Sequence, residues 1–343
     1  TTGQQNTAVG QDSLFANTTG TYNVAMGKNA IAGNTTGSNN IGIGYHALVS
    51  QTTGDNNTVV GFTAGHDMSS GYNNVFMGTQ AGYANTTGYD SVAVGVDSLK
   101  TNTTGIYLTA VGKEALTDNT TANYNTAVGF RALEKSTTGG YNTGIGYEAG
   151  YSNTTGQYNT FLGMQCYGSG GTSNQNVIGY GVVSVGGSYT TLGIGSSKSW
   201  LSTGATSWSG SSDERLKDNI TSSTAGLSFI NDLRPVTYEW KAKGDVPVEL
   251  DSYEEGSTAR VNGTDKVQHG FIAQEVKAAI DAHSDIGNGH GMWNELDDGT
   301  QGIAQGQLVP MLVKALQELS AKNDALETQN ATFAARLTAL EGE

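Results

Sequence analysis

The feature that most constrains the fold of this chain is a glycine that recurs every 17 residues through its first half. The ten glycines are Gly10, Gly27, Gly44, Gly61, Gly78, Gly95, Gly112, Gly129, Gly146 and Gly163. Each follows an apolar residue, and a β-branched residue stands two positions before that apolar residue, as in Thr109-Ala110-Val111. This period-two alternation predicts a short strand with one face turned inward. A fixed period indicates an architecture in which each repeat stacks on its neighbours.

The spacing between the strands contains turn signals. Most repeats carry Thr-Thr-Gly, as at Thr18-Thr19-Gly20, where glycine supplies a positive φ. We therefore predict that each repeat is one coil of a β-solenoid, with two short strands and two turns. Coils stacked at the strand spacing of about 4.8 Å would make ten coils a rod about 50 Å long. An asparagine precedes most strands, and we expect a ladder of these side chains at a turn: Asn6, Asn23, Asn40, Asn57, Asn74, Asn125, Asn142 and Asn159.

The predicted core of the solenoid is thin, because the residue three positions after each glycine is small. Association of several chains along the rod would compensate for such a poor core. The array over residues 1–167 resembles the β-roll heads of trimeric autotransporter adhesins and similar repeats in phage tail fibres. That resemblance implies a trimeric fibre. Cys166 occupies the small inward position of the tenth repeat, which predicts a structural thiol.

Tyrosine recurs at one repeat position, and two histidines lie in the array. The tyrosines are Tyr22, Tyr107, Tyr124, Tyr141 and Tyr158. We expect this stripe to serve lateral packing or to be plain surface, and a glycan platform is the alternative. His46 and His66 fall at different repeat positions and form no ligand set.

The charge distribution places a domain boundary near residue 212. Residues 1–211 carry 9 acidic and 6 basic side chains, whereas residues 212–343 carry 22 and 11, which sum to 31 and 17. The net charge of −14 argues against binding to nucleic acid. No apolar run approaches the roughly 20 residues needed to span a bilayer, so we expect no membrane insertion. The chain opens inside a repeat without an initiator Met, which suggests a fragment.

The 17-residue frame fails after the tenth repeat. Asn176-Val177-Ile178-Gly179 resembles an eleventh strand shortened by one residue, and Leu192-Gly193-Ile194-Gly195 resembles a last relic. We interpret residues 168–211 as a tapering β stalk that ends in a Ser/Gly linker.

Ser212 and Lys217 form the one plausible catalytic pair in the sequence. A serine hydroxyl needs a base to become a nucleophile. A lysine can be that base when desolvation lowers its pKa. Serine and lysine five residues apart are common by chance, however, and the stretch Ser212–Arg215 is also an ordinary helix start with an N-cap and early acids.

Four downstream blocks change this balance: Gly226–Ile230, Leu233–Lys241, His269–Val276 and Leu308–Leu319. In this order, after Ser212-Asp213-Glu214-Arg215-Leu216-Lys217, they resemble the endosialidase-type intramolecular chaperone peptidase family over residues 212 to about 320. The resemblance implies an α+β domain over 212–306 that trimerises, templates the upstream fibre and cuts itself off.

The resemblance also assigns roles to residues. Ser212 would be the nucleophile, Lys217 the general base, and Ser211–Ser212 the scissile bond, while Asp213 would orient the loop. His269 and Glu275 would support the reaction. The alternative for these two is a strand-to-helix element packed in the core. No cofactor and no metal are implied.

The end of the chain, residues 307–343, predicts a coiled-coil helix. Apolar and Asn residues alternate at three- and four-residue steps: Val309, Leu312, Leu316, Leu319, Asn323, Leu326, Asn330, Phe333, Leu337 and Leu340. The seam alone allows two or three strands, and the resemblance favours three. The expected partners are therefore two further copies of this chain and a host-surface receptor or glycan. The expected location is a virion tail fibre, or alternatively a bacterial cell surface where the domain stays as an uncleaved tip.

Overall fold

A computed structural model describes residues 2–205, 207–283, 286 and 291–341. The chain divides into two compact units, Thr1–Leu216 and Lys217–Glu343, and each is described by itself. Across these described stretches, no helix is long and apolar enough to cross a membrane.

The first unit is a β-solenoid, as the 17-residue period predicts. Its strands are β1 (Thr7–Val9), β2 (Val24–Met26), β3 (Ile41–Ile43), β4 (Thr58–Val60), β5 (Val75–Met77), β6 (Val92–Val94), β7 (Thr109–Val111), β8 (Thr126–Val128), β9 (Thr143–Ile145) and β10 (Thr160–Leu162). Each strand pairs in parallel with the next one, and Thr109, for example, lies opposite Thr126. The register is therefore one repeat per coil throughout the array.

Each coil contains one strand, not the two that were predicted. The rest of the coil is a chain of turns in which residues such as Glu114 and Leu116 adopt positive φ, and these conformations interrupt any extended run. The turns nevertheless bond from coil to coil. The N–H of Leu116 donates to the Ala132 carbonyl at 3.1 Å, for example. The stacking therefore continues where the second strand was expected.

From β2 to β10, the residue that faces inward is the middle residue of each strand. Ala110, Ala127 and Phe161 are fully buried, whereas the flanking residues of these strands are half-buried or exposed. The small residue after each glycine and the leucine that often follows it complete the core, as at Ala115 and Leu116. The outward face therefore consists of a β-branched column and an apolar column.

The predicted asparagine ladder is present and buried. Asn57 shows the pattern: its Nδ2 donates to the Gly71 carbonyl at 2.9 Å, and its Oδ1 accepts the backbone N–H of Asn74 at 3.0 Å. A second buried polar ladder, which was not predicted, precedes the Thr-Thr-Gly turns. In it the Nδ2 of Asn119 donates to the Oδ1 of Asn102 at 2.8 Å. The two ladders pair the backbone groups of the tight turns with side chains.

The solenoid tapers as the broken frame predicts. β11 (Asn176–Tyr180) pairs in parallel with β10 at a spacing of 16 residues, and β12 (Tyr189–Ile194) pairs in parallel with β11 at a spacing of 14. The chain then reverses through β13 (Ser197–Ser202) and β14 (Ser209–Gly210), which are antiparallel. This hairpin ends the sheet directly before the candidate site.

The second unit combines helices with two small antiparallel sheets. Its elements are α1 (Leu227–Asp232), β15 (Val236–Tyr238), β16 (Gln268–Gly270), α2 (Ala273–Ala282), β17 (Trp293–Glu295), β18 (Gln301–Ile303) and α3 (Leu308–Glu341). β15 pairs with β16, and β17 pairs with β18. The 34 residues of α3 form a helix about 51 Å long at 1.5 Å per residue.

Candidate functional site

The stretch that carries the predicted catalytic pair lies just after β14. Every residue from Ser211 to Ile220 is exposed, and Glu214–Leu216 forms a single 3-10 turn. Ser212 precedes this turn and Lys217 follows it. The pairing of the Ser212 hydroxyl with the Lys217 amine stays a prediction.

Asp213 is held by Arg215 through what we call the Asp213 clamp. The Asp213 carboxylate accepts the backbone N–H of Arg215 at 2.9 Å, its Nε at 3.0 Å and its Nη2 at 2.6 Å. The Asp213 carbonyl also accepts the Leu216 N–H at 3.1 Å, which closes the turn. The Arg215 side chain and backbone lower the pKa of the Asp213 carboxyl. The role of Asp213 in orienting the loop stays a prediction.

His269 and Glu275 lie on one strand-to-helix element. His269 is the middle residue of β16, opposite Thr237, and its side chain is exposed. Glu275 lies in the first turn of α2, where its carboxylate forms an ion pair with Arg234 that lowers the pKa of the Glu275 carboxyl. The ion pair joins the second sequence block to the third. The supporting role of both residues in cleavage stays a prediction.

The four sequence blocks converge on one core in the second unit. Phe229 from the first block, Leu233 from the second, Val276 from the third and Leu308 from the fourth belong to the same hydrophobic cluster. Their order in the sequence therefore reflects packing within this unit.

Glu318 fixes the start of α1 to α3. The N–H of Leu227 donates to the Glu318 Oε2 at 2.9 Å, and this hydrogen bond is the main cause of a lowered Glu318 pKa. A Cβ at Gly226 would lie 2.5 Å from the Glu318 Oε2, so a larger residue there would have to displace this carboxylate. We did not predict the contact between Leu227 and Glu318. The only sequence signal for it was a glycine directly before a helix that lacks a side-chain N-cap.

The predicted seam of α3 is exposed along the whole helix. The seam residues Val309, Leu312, Leu316, Leu319, Leu326, Phe333, Leu337 and Leu340 are between 50 and 71% exposed. The buried helix residues Leu308 and Ala315 lie directly beside this seam, and Leu308 packs in the hydrophobic cluster of the second unit. An apolar stripe of this length on a single chain marks an interaction surface.

The tyrosine stripe forms a stack of rings along the solenoid. Adjacent rings of Tyr107, Tyr124, Tyr141 and Tyr158 have centroids 4.8–5.0 Å apart and planes within 12–16° of parallel. The ring faces therefore cover one another and the edges point to solvent. Because a sugar stacks on an aromatic face, this geometry disfavours the glycan platform over plain surface or lateral packing. Tyr22 is exposed at the same repeat position.

The remaining candidates of the solenoid are structural. Cys166 is buried, its Sγ lies 3.0 Å from the Gly179 carbonyl oxygen, and burial raises the pKa of the thiol. The rings of His46 and His66 stack with centroids 5.9 Å apart. Within the part of the chain that the structure describes, no group of three or more His, Cys, Asp or Glu could hold a metal ion.

One family model matches this chain. Residues 212–285 match the peptidase family described as chaperone of endosialidase. The match begins at Ser212 and covers the first three sequence blocks, while the fourth block lies beyond it. It confirms the family resemblance drawn from the sequence. No curated protein and no solved structure matches the chain.

Proposed function

We propose that this chain is part of a homotrimeric tail-fibre protein whose C-terminal unit directs assembly of the solenoid and then cuts itself off at Ser211–Ser212. The observation that carries the proposal is the position of the family match. It begins at Ser212, two residues after the last strand of a fibre-like solenoid. The C-terminal unit, as the proposed assembly template, and the solenoid that it would assemble are therefore joined at that residue.

The outward face of the solenoid sheet supports lateral association. Its apolar column continues over twelve strands, and many of its members are exposed: Val9, Met26, Met77, Ile145, Leu162, Ile178 and Leu192. The neighbouring column contains only β-branched residues through β10. Apolar surface of this extent is unfavourable in water and is covered when copies of the chain pack side by side.

The α3 seam supports self-association of the second unit. Its eight exposed apolar residues follow the heptad spacing that packs helices around a common axis. Asn323 and Asn330 interrupt this seam, and polar residues at such positions set register and oligomer state at a cost in stability. The family match supports three chains rather than two.

The proposed reaction moves the Ser211 acyl group from nitrogen to oxygen and then to water. Lys217, as a neutral amine, takes the proton of the Ser212 hydroxyl, and Oγ attacks the Ser211 carbonyl carbon. The C–N bond breaks, the proton passes to the Ser212 nitrogen, and an ester remains. Water hydrolyses that ester, which leaves a Ser211 carboxylate and a free Ser212 amine.

Assembly would supply the environment that this chemistry needs. Lys217 is exposed in the single chain, whereas a lysine serves as a general base where burial removes the water around its amine. Burial by neighbouring chains would remove that water. The proposed cut would therefore follow trimerisation, and each chain would cut once.

The test compares wild type with Ser212→Ala, Lys217→Ala and Lys217→Arg on denaturing gels after folding. We expect wild type to yield pieces of 211 and 132 residues, the latter beginning Ser212-Asp213-Glu214, and all three variants to stay whole. Lys217→Arg keeps the charge but supplies no usable base. Ser211→Ala is the matched control and should still be cut.

Two outcomes would contradict the proposal. Wild type that stays whole under folding conditions would favour the alternative, a surface adhesin that retains this unit as a tip. Light scattering that gives the 35.6 kDa of one chain would contradict the trimer. A host-surface receptor or glycan remains the proposed external partner, and the virion tail fibre the proposed location.

A further inference from the structure

We propose that an apolar cavity beside the α3 seam receives Val313 of a neighbouring copy of this chain. This contact rests on the proposed trimer and extends it beyond the seam. It would join the start of α3 in one copy to the hydrophobic core of the second unit in the next copy.

The cavity lies within the second unit and has a volume of about 290 Å³. Residues of α1, of the segment before α2 and of α3 form its apolar walls: Ile230, Leu233, Phe271, Leu308 and Leu312. Gln305 adds a polar group beside them. Leu312 also belongs to the seam and is 50% exposed, so the cavity continues directly into the surface that neighbouring helices would share.

Val313 lies at the flank of the seam that faces a neighbouring helix. With Val309 and Leu312 at heptad positions a and d, Val313 is at position e and Leu308 is at position g. In a parallel coiled coil, position g of one helix faces the next position e of its neighbour. Leu308, which lines the cavity, is therefore expected opposite Val313 of the neighbouring copy.

The charges further along α3 favour this parallel register. Lys322 and Arg336 are at position g, whereas Glu327 and Glu341 are at position e. In the parallel register, Lys322 faces Glu327 of the neighbouring copy, and Arg336 faces Glu341 of that copy. An antiparallel arrangement would place e against e and g against g, so that like charges would meet.

Val313 differs in character from the rest of its column. The later residues at position e are small or acidic: Ser320, Glu327, Ala334 and Glu341. Val313 is apolar and β-branched, and it is 52% exposed in the single chain. Its transfer from water into an apolar cavity is favourable, and the cavity lies at the level of this heptad.

The test is cross-linking of the full chain between two introduced cysteines. Gln305→Cys places a thiol at the cavity, and Val313→Cys places one at the proposed occupant. The parent chain carries Ser212→Ala to keep it whole and Cys166→Ala to remove the native thiol. A short bis-maleimide should join each copy to the next, and a denaturing gel should show three covalently linked chains.

The matched control is Gln305→Cys/Ser320→Cys in the same parent chain. Ser320 lies in the same column as Val313 but one heptad, or about 10 Å, further along α3. A thiol there should lie beyond the cavity, so the control should run mainly as single chains.

Light scattering on the same samples separates this contact from the proposed trimer. A trimer in which the Gln305→Cys/Val313→Cys pair gives no linked chains, or in which the control links equally well, would overturn the contact and leave the trimer standing. Single chains in the parent would overturn both.

A second comparison decides the case if the cysteine pair itself prevents assembly. Val313→Asp should lower the fraction of trimer about tenfold, because a carboxylate would replace an apolar group in each of the three cavities. Ser320→Asp adds the same charge to the same column and should leave the fraction of trimer unchanged. Equal effects of the two substitutions would overturn the contact.

Discussion

The buried asparagine ladder predicts that an isosteric change at Asn57 will cost far more than the same change at its neighbour Asn56. Asn57 is fully buried, and its Nδ2 donates to the Gly71 carbonyl at 2.9 Å and to the Asn40 Oδ1 at 3.1 Å. Asn57→Asp replaces that donor by an acceptor. The shape of the side chain stays nearly the same, so packing is not the variable.

The magnitude follows from the two lost donations. Loss of the donation to Gly71 leaves that buried carbonyl without this partner, at a cost of about 1–3 kcal/mol in the free energy of unfolding. Loss of the donation to Asn40 costs less, because the Asn40 Oδ1 still accepts the Asn57 backbone N–H at 3.0 Å. Burial of the new charge adds to this cost. Asn56→Asp loses one surface donation to the Asn73 Oδ1. Its backbone φ of 58° suits Asp as well as Asn, and we expect a change within about 0.5 kcal/mol.

The cost of Asn57→Asp should also depend on pH. Burial raises the folded-state pKa of the new carboxyl above its unfolded value of about 3.9. Below that value the carboxyl is protonated in both states, and its O–H can restore one donation. As the pH rises toward the folded-state pKa, the unfolded chain loses its proton first and stability falls. The variant should therefore be closer to wild type at pH 4 than at pH 7.

The assay is guanidinium unfolding of the full chain, followed by circular dichroism at pH 4 and pH 7, with Ser212→Ala in every sample so that the chain stays whole. Unfolding half-lives at a fixed denaturant concentration replace midpoints where refolding is incomplete. Equal stability of the Asn57 and Asn56 variants at pH 7 would refute the assignment of the ladder as the support of the turns.

Two further predictions concern the seam and the thiol. Leu326→Asp places a charge on the exposed α3 seam and should reduce the proposed trimer to single chains in light scattering. Ala325→Asp, on another face of the same helix, should leave the proposed trimer intact. Equal behaviour of the two variants would contradict the seam. Cys166 should resist a thiol reagent at pH 8 in the folded chain and react fully after unfolding, because burial raises its pKa; rapid labelling of the native chain would contradict the structural role.

The solenoid was predictable from the sequence because its repeat is strict. Position within the 17-residue period determined the strand, the asparagine ladder and the small residue of the core. The prediction of a second strand in each coil was wrong, because residues such as Leu116 and Leu133 adopt positive φ. The apolar pattern of the sequence does not indicate this backbone conformation. The second ladder, with Asn102 and Asn119, was missed because Asn-Thr-Thr-Gly resembles an ordinary polar turn.

For the candidate site, the sequence predicted which residues belong to it and the order of the four blocks, but not the contacts between side chains. The four blocks predicted a common domain, and their packing around Phe229 and Val276 explains their order. The Asp213 clamp and the contact between Leu227 and Glu318 depend on side-chain geometry across 2 and 91 residues, and no periodicity encodes them. Catalytic roles depend in addition on burial, which a single exposed chain does not provide at Lys217.

The repeat that makes the solenoid predictable creates a register problem for the proposed trimer. Successive coils present nearly the same outward columns, so three chains displaced by one coil would still bury most of their apolar surface. The solenoid therefore offers little free-energy difference between the correct register and its neighbours. A non-repeating element must set that register, and the α3 seam with Asn323 and Asn330 is such an element and also presents an apolar face. Once the coils have locked, the register persists because slippage would require separating the whole sheet face. The proposed cut directly before Ser212 would then remove the proposed template without loosening the assembled fibre.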